Sequence, residues 1–64
     1  MTEHIIQFFS YTHLPESLQD ISKPFAQMAD QIIFMIPRNP ERTVALRKLL
    51  ESKDAAVRAF IAKE

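Results

Sequence analysis

The stretch that decides the fold is PERTVALRKLLESKDAAVRAFIA, residues 40–62, which has the pattern of one long helix. At about 100° per residue, its apolar side chains fall on one face roughly 100° wide; these are Leu46, Leu49, Leu50, Val57 and Phe60. Lys53 points from the middle of the same face. Since a cation inside an apolar stripe costs several kcal/mol unless it is paired, we expect Lys53 to have a partner: a carboxylate on another helix, a neighbouring subunit or an anionic ligand.

The residues just before this stretch predict where the helix begins. Asn39 suits the N-cap, Pro40 the first helical position and Glu41 the first turn, and the helix is expected to run to about Ile61. Residues 37–40, Pro-Arg-Asn-Pro, form a short loop. A loop this short makes the helices on either side of it antiparallel neighbours.

A first helix is predicted upstream, where apolar residues repeat at alternating spacings of four and three: Leu14, Leu18, Ile21, Phe25, Met28, Ile32 and Met35. Pro15 suits the first turn of this helix. Pro24 lies inside the stripe, and an interior proline kinks a helix. We therefore predict a bend or break near residues 21–23, with Ser22 capping a second helical piece. Residues 2–14 are expected to form an extended arm or a short helix.

Length and composition predict a single small domain, residues 1–64. A chain of this size buries only about 60% of the surface that its unfolded form exposes, and with no cysteine it has no disulfide to support it. Residues 32–36 are apolar all round the helix, which favours a homo-oligomer over a lone compact hairpin with its leader. The predicted fold is all-α: a small antiparallel helical hairpin with a kinked first helix and an N-terminal arm, assembled as a homo-oligomer.

Charge and motifs exclude several classes of function. Eight basic and eight acidic residues give a net charge of zero, which argues against a DNA-binding protein or a binder of anionic membranes. No signal peptide and no apolar run near the roughly 20 residues of a membrane span is present, so a cytoplasmic protein is expected. The absence of glycine excludes glycine-rich phosphate loops.

Catalytic and metal sites are not predicted either. His4 and His13 lie nine residues apart, with Glu3 and Glu16 nearby, and lack the spacing of a metal site. No serine lies in a nucleophile motif, and the carboxylates are scattered. We therefore expect a protein that is not an enzyme and needs no cofactor.

The candidate binding residues are cations and one aromatic ring. Thr43, Arg47, Asp54 and Arg58 share one border of the second helix. They form either a surface ladder in which Asp54 pairs with Arg58, or an anion site in which the guanidiniums bind phosphate and Lys53 and Thr43 add donors. Tyr11 is either a packing residue or a stacking platform for a nucleobase. Lys23 is either a solvated surface lysine or a phosphate ligand beside Tyr11.

Single residues along nearly the whole chain give it a family likeness: Phe9, Tyr11, Pro15, Gln19, Phe25, Ala29, Ile32, Pro37, Glu41, Ala45, Lys48, the run 55–59 (Ala-Ala-Val-Arg-Ala), Ile61 and Ala62. The pattern resembles the phage anti-CBASS and anti-Thoeris cyclic-nucleotide sponges, which share a helical hairpin domain. Ser10 and Thr12 stand where better-known members have a glycine and a basic residue.

The resemblance implies a viral immune-evasion protein that works in the cytoplasm of the host bacterium. Such proteins are helical homo-hexamers that sequester cyclic di- and trinucleotide second messengers without cleaving them. By this resemblance Tyr11 stacks on a base, Lys23 is the nearest cation to the phosphate-binding lysine of the first helix, and Arg58 helps to bind larger cyclic ligands. The alternative is a small helical adaptor of phage origin that binds another protein through its apolar surface.

Overall fold

A computed structural model of the chain describes residues 4–62. Within this range the backbone forms three helices and no strand: a 3₁₀ helix, His4–Phe9, and two α-helices, α1 at Glu16–Met35 and α2 at Pro40–Ile61. The all-α prediction is confirmed for these residues, and the leader forms a short helix; residues 2 and 3 of the predicted arm lie outside them. The two α-helices pack against each other, and the 3₁₀ helix packs against both.

The ends of α2 agree with the sequence prediction. The Asn39 side chain caps the helix, because its Oδ1 accepts a hydrogen bond from the Arg42 main-chain N–H at 2.8 Å. Pro40 is the first helical residue, where the missing N–H costs nothing. At the other end the Ala62 N–H donates to the Arg58 oxygen at 2.9 Å, so the helix ends at Ile61.

Helix α1 runs unbroken from Glu16 to Met35 through Pro24, so the predicted break and the predicted Ser22 cap are wrong. Pro24 lacks the N–H that would bond to the Asp20 oxygen. Both of these residues are exposed, so water can solvate the carbonyl that is left over. Packing of the opposite face against α2 keeps the backbone helical, since tertiary contacts commonly override a local preference.

The buried face of α1 is centred on small residues rather than on the heptad stripe. Ser22 and Ala29 are fully buried, and they lie seven residues apart on one side of the helix. Met28 and Met35 belong to the stripe but remain exposed. The 4-3 spacing correctly predicted which half of α1 is apolar. The most buried positions on that half are nevertheless small residues, because small side chains let the backbone of a neighbouring helix come close to α1.

The hydrophobic core of the described residues is small, and the leader contributes half of it. Its buried apolar side chains are Ile5, Phe9, Ala29 and Leu46. Several large apolar residues remain outside this core: Phe8, Met28, Phe34, Met35, Ile36, Val44, Phe60 and Ile61. Phe34 is 91% exposed and Met35 73%, so one copy of the chain leaves much of the apolar segment 32–36 uncovered. Within residues 4–62, neither α-helix combines the length and the hydropathy needed to cross a bilayer.

We expect Ser22→Ala to raise the free energy of unfolding by about 1 kcal/mol. The Ser22 side chain is fully buried, and among residues 4–62 its Oγ has no hydrogen-bond partner. Removing an unsatisfied buried hydroxyl recovers its desolvation cost. The melting temperature should rise by about 4–8 °C for each kcal/mol of added stability, which thermal melting measures. Ser52→Ala, at an exposed position inside α2, controls for helix propensity; an equal gain in both variants would contradict the prediction.

Candidate functional site

The candidate site is a pocket of about 210 Å³ between the end of the leader and α1. Three of its lining residues are apolar and four carry a polar group: Ile6, Phe9 and Ala26, and then Ser10, Tyr11, Thr12 and Asp30. The volume is below the roughly 300–1,000 Å³ of pockets that enclose a drug-sized molecule. The pocket is therefore suited to one flat ring of a larger ligand.

Local hydrogen bonds hold the Tyr11 segment in place. The Ser10 N–H donates to the Gln7 oxygen at 3.3 Å, and the Leu14 N–H donates to the Tyr11 oxygen at 3.1 Å. From α1, the Gln19 side chain donates to the Leu14 oxygen at 2.8 Å. These bonds close the turn that joins the 3₁₀ helix to α1, so they fix where the backbone presents the half-buried Tyr11 side chain.

Lys53 fixes the leader to α2. Its Nζ donates a hydrogen bond to the Phe8 main-chain oxygen at 2.6 Å. The 3₁₀ helix has no basic residue in its own last turn, and a cation at the carbonyl end of a helix is favourable. The partner of Lys53 is thus a backbone carbonyl, not one of the three partners that the sequence suggested. One of the donors proposed for an anion is already engaged in holding the fold.

Tyr11 is the one predicted site residue that lines the pocket. Lys23, Arg47 and Arg58 are exposed, and Thr43 is half-buried on α2. The Thr43 hydroxyl donates to the Asn39 oxygen at 3.5 Å, close to the start of α2. The pocket lining contains no lysine or arginine. A single copy of the chain therefore brings the aromatic part of the predicted site to the pocket but not the cationic part.

The predicted ladder on the border of α2 does not form. Among residues 4–62 the ion pair on this helix joins Lys48 to Glu51 at 3.6 Å, with both side chains well exposed. Asp54 and Arg58 make no ion pair with each other. Within the described residues the guanidiniums of Arg47 and Arg58 are thus available to an external anion.

Two charged residues that the sequence did not single out have defined positions. Arg42 is buried, and its Nη1 donates to the Ile36 oxygen at 2.9 Å and to the Ile33 oxygen at 3.4 Å. It supplies a cation to the C-terminal end of α1, whose last turn has none. These bonds join two helices, and no pattern within α2 indicated them. Asp30 lines the Tyr11 pocket, and no short-range motif indicated that contact.

The two histidines have ordinary surroundings: His4 makes local contacts and His13 is exposed. The His4 ring stands edge to face with Phe8, with ring centres 5.9 Å apart, and the Gln7 amide lies 3.1 Å from the ring nitrogens. His13 is exposed. Within residues 4–62 no three side chains of His, Cys, Asp or Glu gather where they could hold a metal ion; Glu3 lies outside that range.

Comparison of the chain with family models, with curated proteins and with solved structures finds no match. The likeness to phage sponges remains a prediction from the residues quoted above.

Proposed function

We propose that this protein binds cyclic oligonucleotide second messengers and sequesters them without cleaving them, as an immune-evasion protein of the phage type. The observation that carries the proposal is the Tyr11 pocket. Its mixed apolar and polar lining and its size suit one nucleobase, and stacking on an aromatic ring contributes about 1–3 kcal/mol per base. The rest of the ligand, with its phosphates, would lie outside the pocket.

The phosphates are assigned to exposed cations away from the pocket. Asp30 is the charged residue of the pocket lining, and a carboxylate repels phosphate. Lys23, Arg47 and Arg58 are exposed, and guanidinium forks match phosphate oxygens. Arg47 and Arg58 are eleven residues apart, roughly 16 Å along a helix axis, so they would meet one small ligand together only if two copies of the chain contributed.

The proposal therefore includes assembly. The chain would form an antiparallel hairpin with a bend at Pro24, and several copies, six by resemblance, would combine the pocket of one copy with the cations of another. Two observations support this. The described core is small, and Phe34 and Met35 are largely exposed. Small chains without disulfides commonly gain stability by oligomerising.

Sequestration is preferred to hydrolysis on the chemistry of the pocket. Its hydroxyl groups belong to Ser10, Tyr11 and Thr12, and its lining has no histidine or lysine. Because the phosphates are placed outside the pocket, these hydroxyls and the Asp30 carboxylate would lie away from the phosphodiester bonds. A ligand bound there would leave unchanged. In the cytoplasm of a bacterium such a protein would lower the free concentration of the messenger.

The test is isothermal titration calorimetry against a panel of cyclic di- and trinucleotides. We expect at least one to bind with a Kd below ~10 μM, equivalent to about 7 kcal/mol. Heat denaturation of the complex should release the intact cyclic nucleotide. No binding in the panel would overturn the proposal, and recovery of a linear product would indicate an enzyme.

We expect Arg58→Ala to weaken binding of the best ligand about tenfold, because one charge-assisted hydrogen bond to phosphate is lost from an exposed position. The fold should be unaffected, since the Arg58 side chain has no partner among the described residues. The matched control is Lys48→Ala, another exposed cation of α2, which pairs with Glu51. Calorimetry that finds equal losses in the two variants would show only a general charge effect.

The second candidate is an adaptor that binds another protein, favoured by the exposure of Phe34 and Met35. Under this alternative Tyr11→Ala should leave function intact, whereas a charge introduced at Met28 or Ile32 should abolish it. A pull-down from expressing cells with these variants, read beside the calorimetry, separates the two functions.

A further inference from the structure

The Tyr11 pocket combines a stacking ring with a carboxylate, and this combination can read the edge of a base. Asp30 lines the pocket together with Tyr11. Asp30 is an exposed residue of α1 and makes no ion pair or hydrogen bond within the described residues. Its two oxygens therefore remain available as acceptors.

An ionised carboxylate accepts hydrogen bonds and cannot donate them, which makes it selective among bases. Guanine presents two neighbouring donors on its Watson–Crick edge, N1–H and the N2 amino group, and both can bond to one carboxylate. Adenine presents its N6 amino group beside the acceptor N1, which a carboxylate repels. Uracil places an acceptor on each side of its single N3–H donor. Cytosine, like adenine, places one amino donor beside a ring acceptor. The pocket chemistry thus fits guanine, with its two neighbouring donors, better than the other bases.

We propose that Asp30 is the base-reading residue of the Tyr11 pocket and that the pocket prefers guanine, an inference that rests on the proposed binding of cyclic nucleotides. Tyr11 supplies stacking, which is possible with every base, so it contributes affinity but no selectivity among bases. Asp30 supplies the selectivity for guanine. The hydroxyls of Ser10 and Thr12 line the same pocket and can donate to the guanine O6, the acceptor next to N1–H.

The test is calorimetry with cyclic di-GMP and cyclic di-AMP on the parent and on Asp30→Asn. The parent should bind cyclic di-GMP about tenfold more tightly, since a bidentate pair discriminates by roughly that factor or more. Asp30→Asn keeps the shape but replaces one acceptor oxygen with an NH₂ donor. The substitution should therefore weaken the binding of cyclic di-GMP about tenfold, whereas cyclic di-AMP should bind with the same affinity or more tightly.

Asp20→Asn is the matched control, because it removes the same charge from an exposed position of α1 outside the pocket. The Asp20→Asn substitution should change the Kd values of both nucleotides by the same small factor. Equal or tighter binding of cyclic di-AMP by the parent would overturn the guanine assignment alone, as would a shift in Asp30→Asn that is the same for both nucleotides. If no nucleotide in the wider panel bound, the proposed function would fall, and this inference with it.

Discussion

Replacing Arg42 with methionine is expected to lower the free energy of unfolding by about 3 kcal/mol. The arginine is only 6% exposed, and its Nη1 donates to the Ile36 and Ile33 oxygens at the end of α1. Hydrogen bonds from a charged donor contribute about 1.5–3 kcal/mol each, and methionine leaves these two part-buried carbonyls without that donor. A chain of 64 residues has roughly 3–10 kcal/mol in total at typical values per residue, so the loss is a large part of its stability.

Urea denaturation followed by circular dichroism measures this change. For so small a chain the slope is about 1 kcal/mol per M, so the midpoint should fall by about 3 M. Protein concentration must be held constant, because assembly would couple stability to it. Arg38→Met is the matched control: Arg38 lies in the connection before α2, is exposed and has no partner among residues 4–62. A similar loss in both variants would contradict the role given to Arg42.

Tyr11→Ala is expected to weaken binding of the best cyclic nucleotide about thirtyfold. The physical reason is the loss of one base stack, about 2 kcal/mol. Tyr11→Phe keeps the ring and removes only the hydroxyl, so its affinity should stay within about threefold of the parent's. Calorimetry measures both variants.

Thermal melting of the same two Tyr11 variants shows whether a loss of binding is caused by unfolding. The Tyr11 ring is half-buried and lies outside the fully buried core, so the alanine variant should remain folded at the temperature of the titration. If the alanine variant were folded and bound every nucleotide as the parent does, the pocket could not be the base site.

The bounds of α2 could be predicted from the sequence because the determinants are local. Asn39 and Pro40 stand next to each other at the start, and the cap bond spans only three residues. The apolar face is also a property of one helix, and Leu46 lies at its buried centre as expected. Phe60 follows the same periodicity but is exposed, because periodicity fixes the direction of a side chain and not whether another element covers it.

The errors concern interactions between elements. Pro24 suggested a break, and local rules could not weigh its cost against the packing of the whole buried face of α1. The partner of Lys53 is a carbonyl 45 residues earlier in the chain, and no pattern within a helix indicates such a contact. The Arg42 bonds to the end of α1 were likewise missed, because they depend on how the two helices meet.

The candidate site could be predicted only in part. Tyr11 was singled out from its chemistry, since a flat ring with a polar group suits a base, and the structure places it in the lining of a pocket. Its pocket, however, depends on the leader lying across α1 beside Ala26 and Asp30, residues that are 15 and 19 positions away. The distribution of cations could be read from the sequence as a border of α2. Whether that border meets the pocket would depend on the assembly proposed above, which no pattern within one chain specifies.

Helix α2 supplies the cations that complete both of the helices before it, since neither the 3₁₀ helix nor α1 has a basic residue in its last turn. Chains are synthesised from the N-terminus, so both earlier helices leave the ribosome before their caps exist. Helix α1 can gain Arg42 as soon as the first turn of α2 forms. The 3₁₀ helix gains its cation only when the part of α2 that carries Lys53 has formed. Ile6 and Phe9 of that 3₁₀ helix line the pocket, so one wall of the pocket is bonded through Phe8 to a residue that is synthesised 45 positions later.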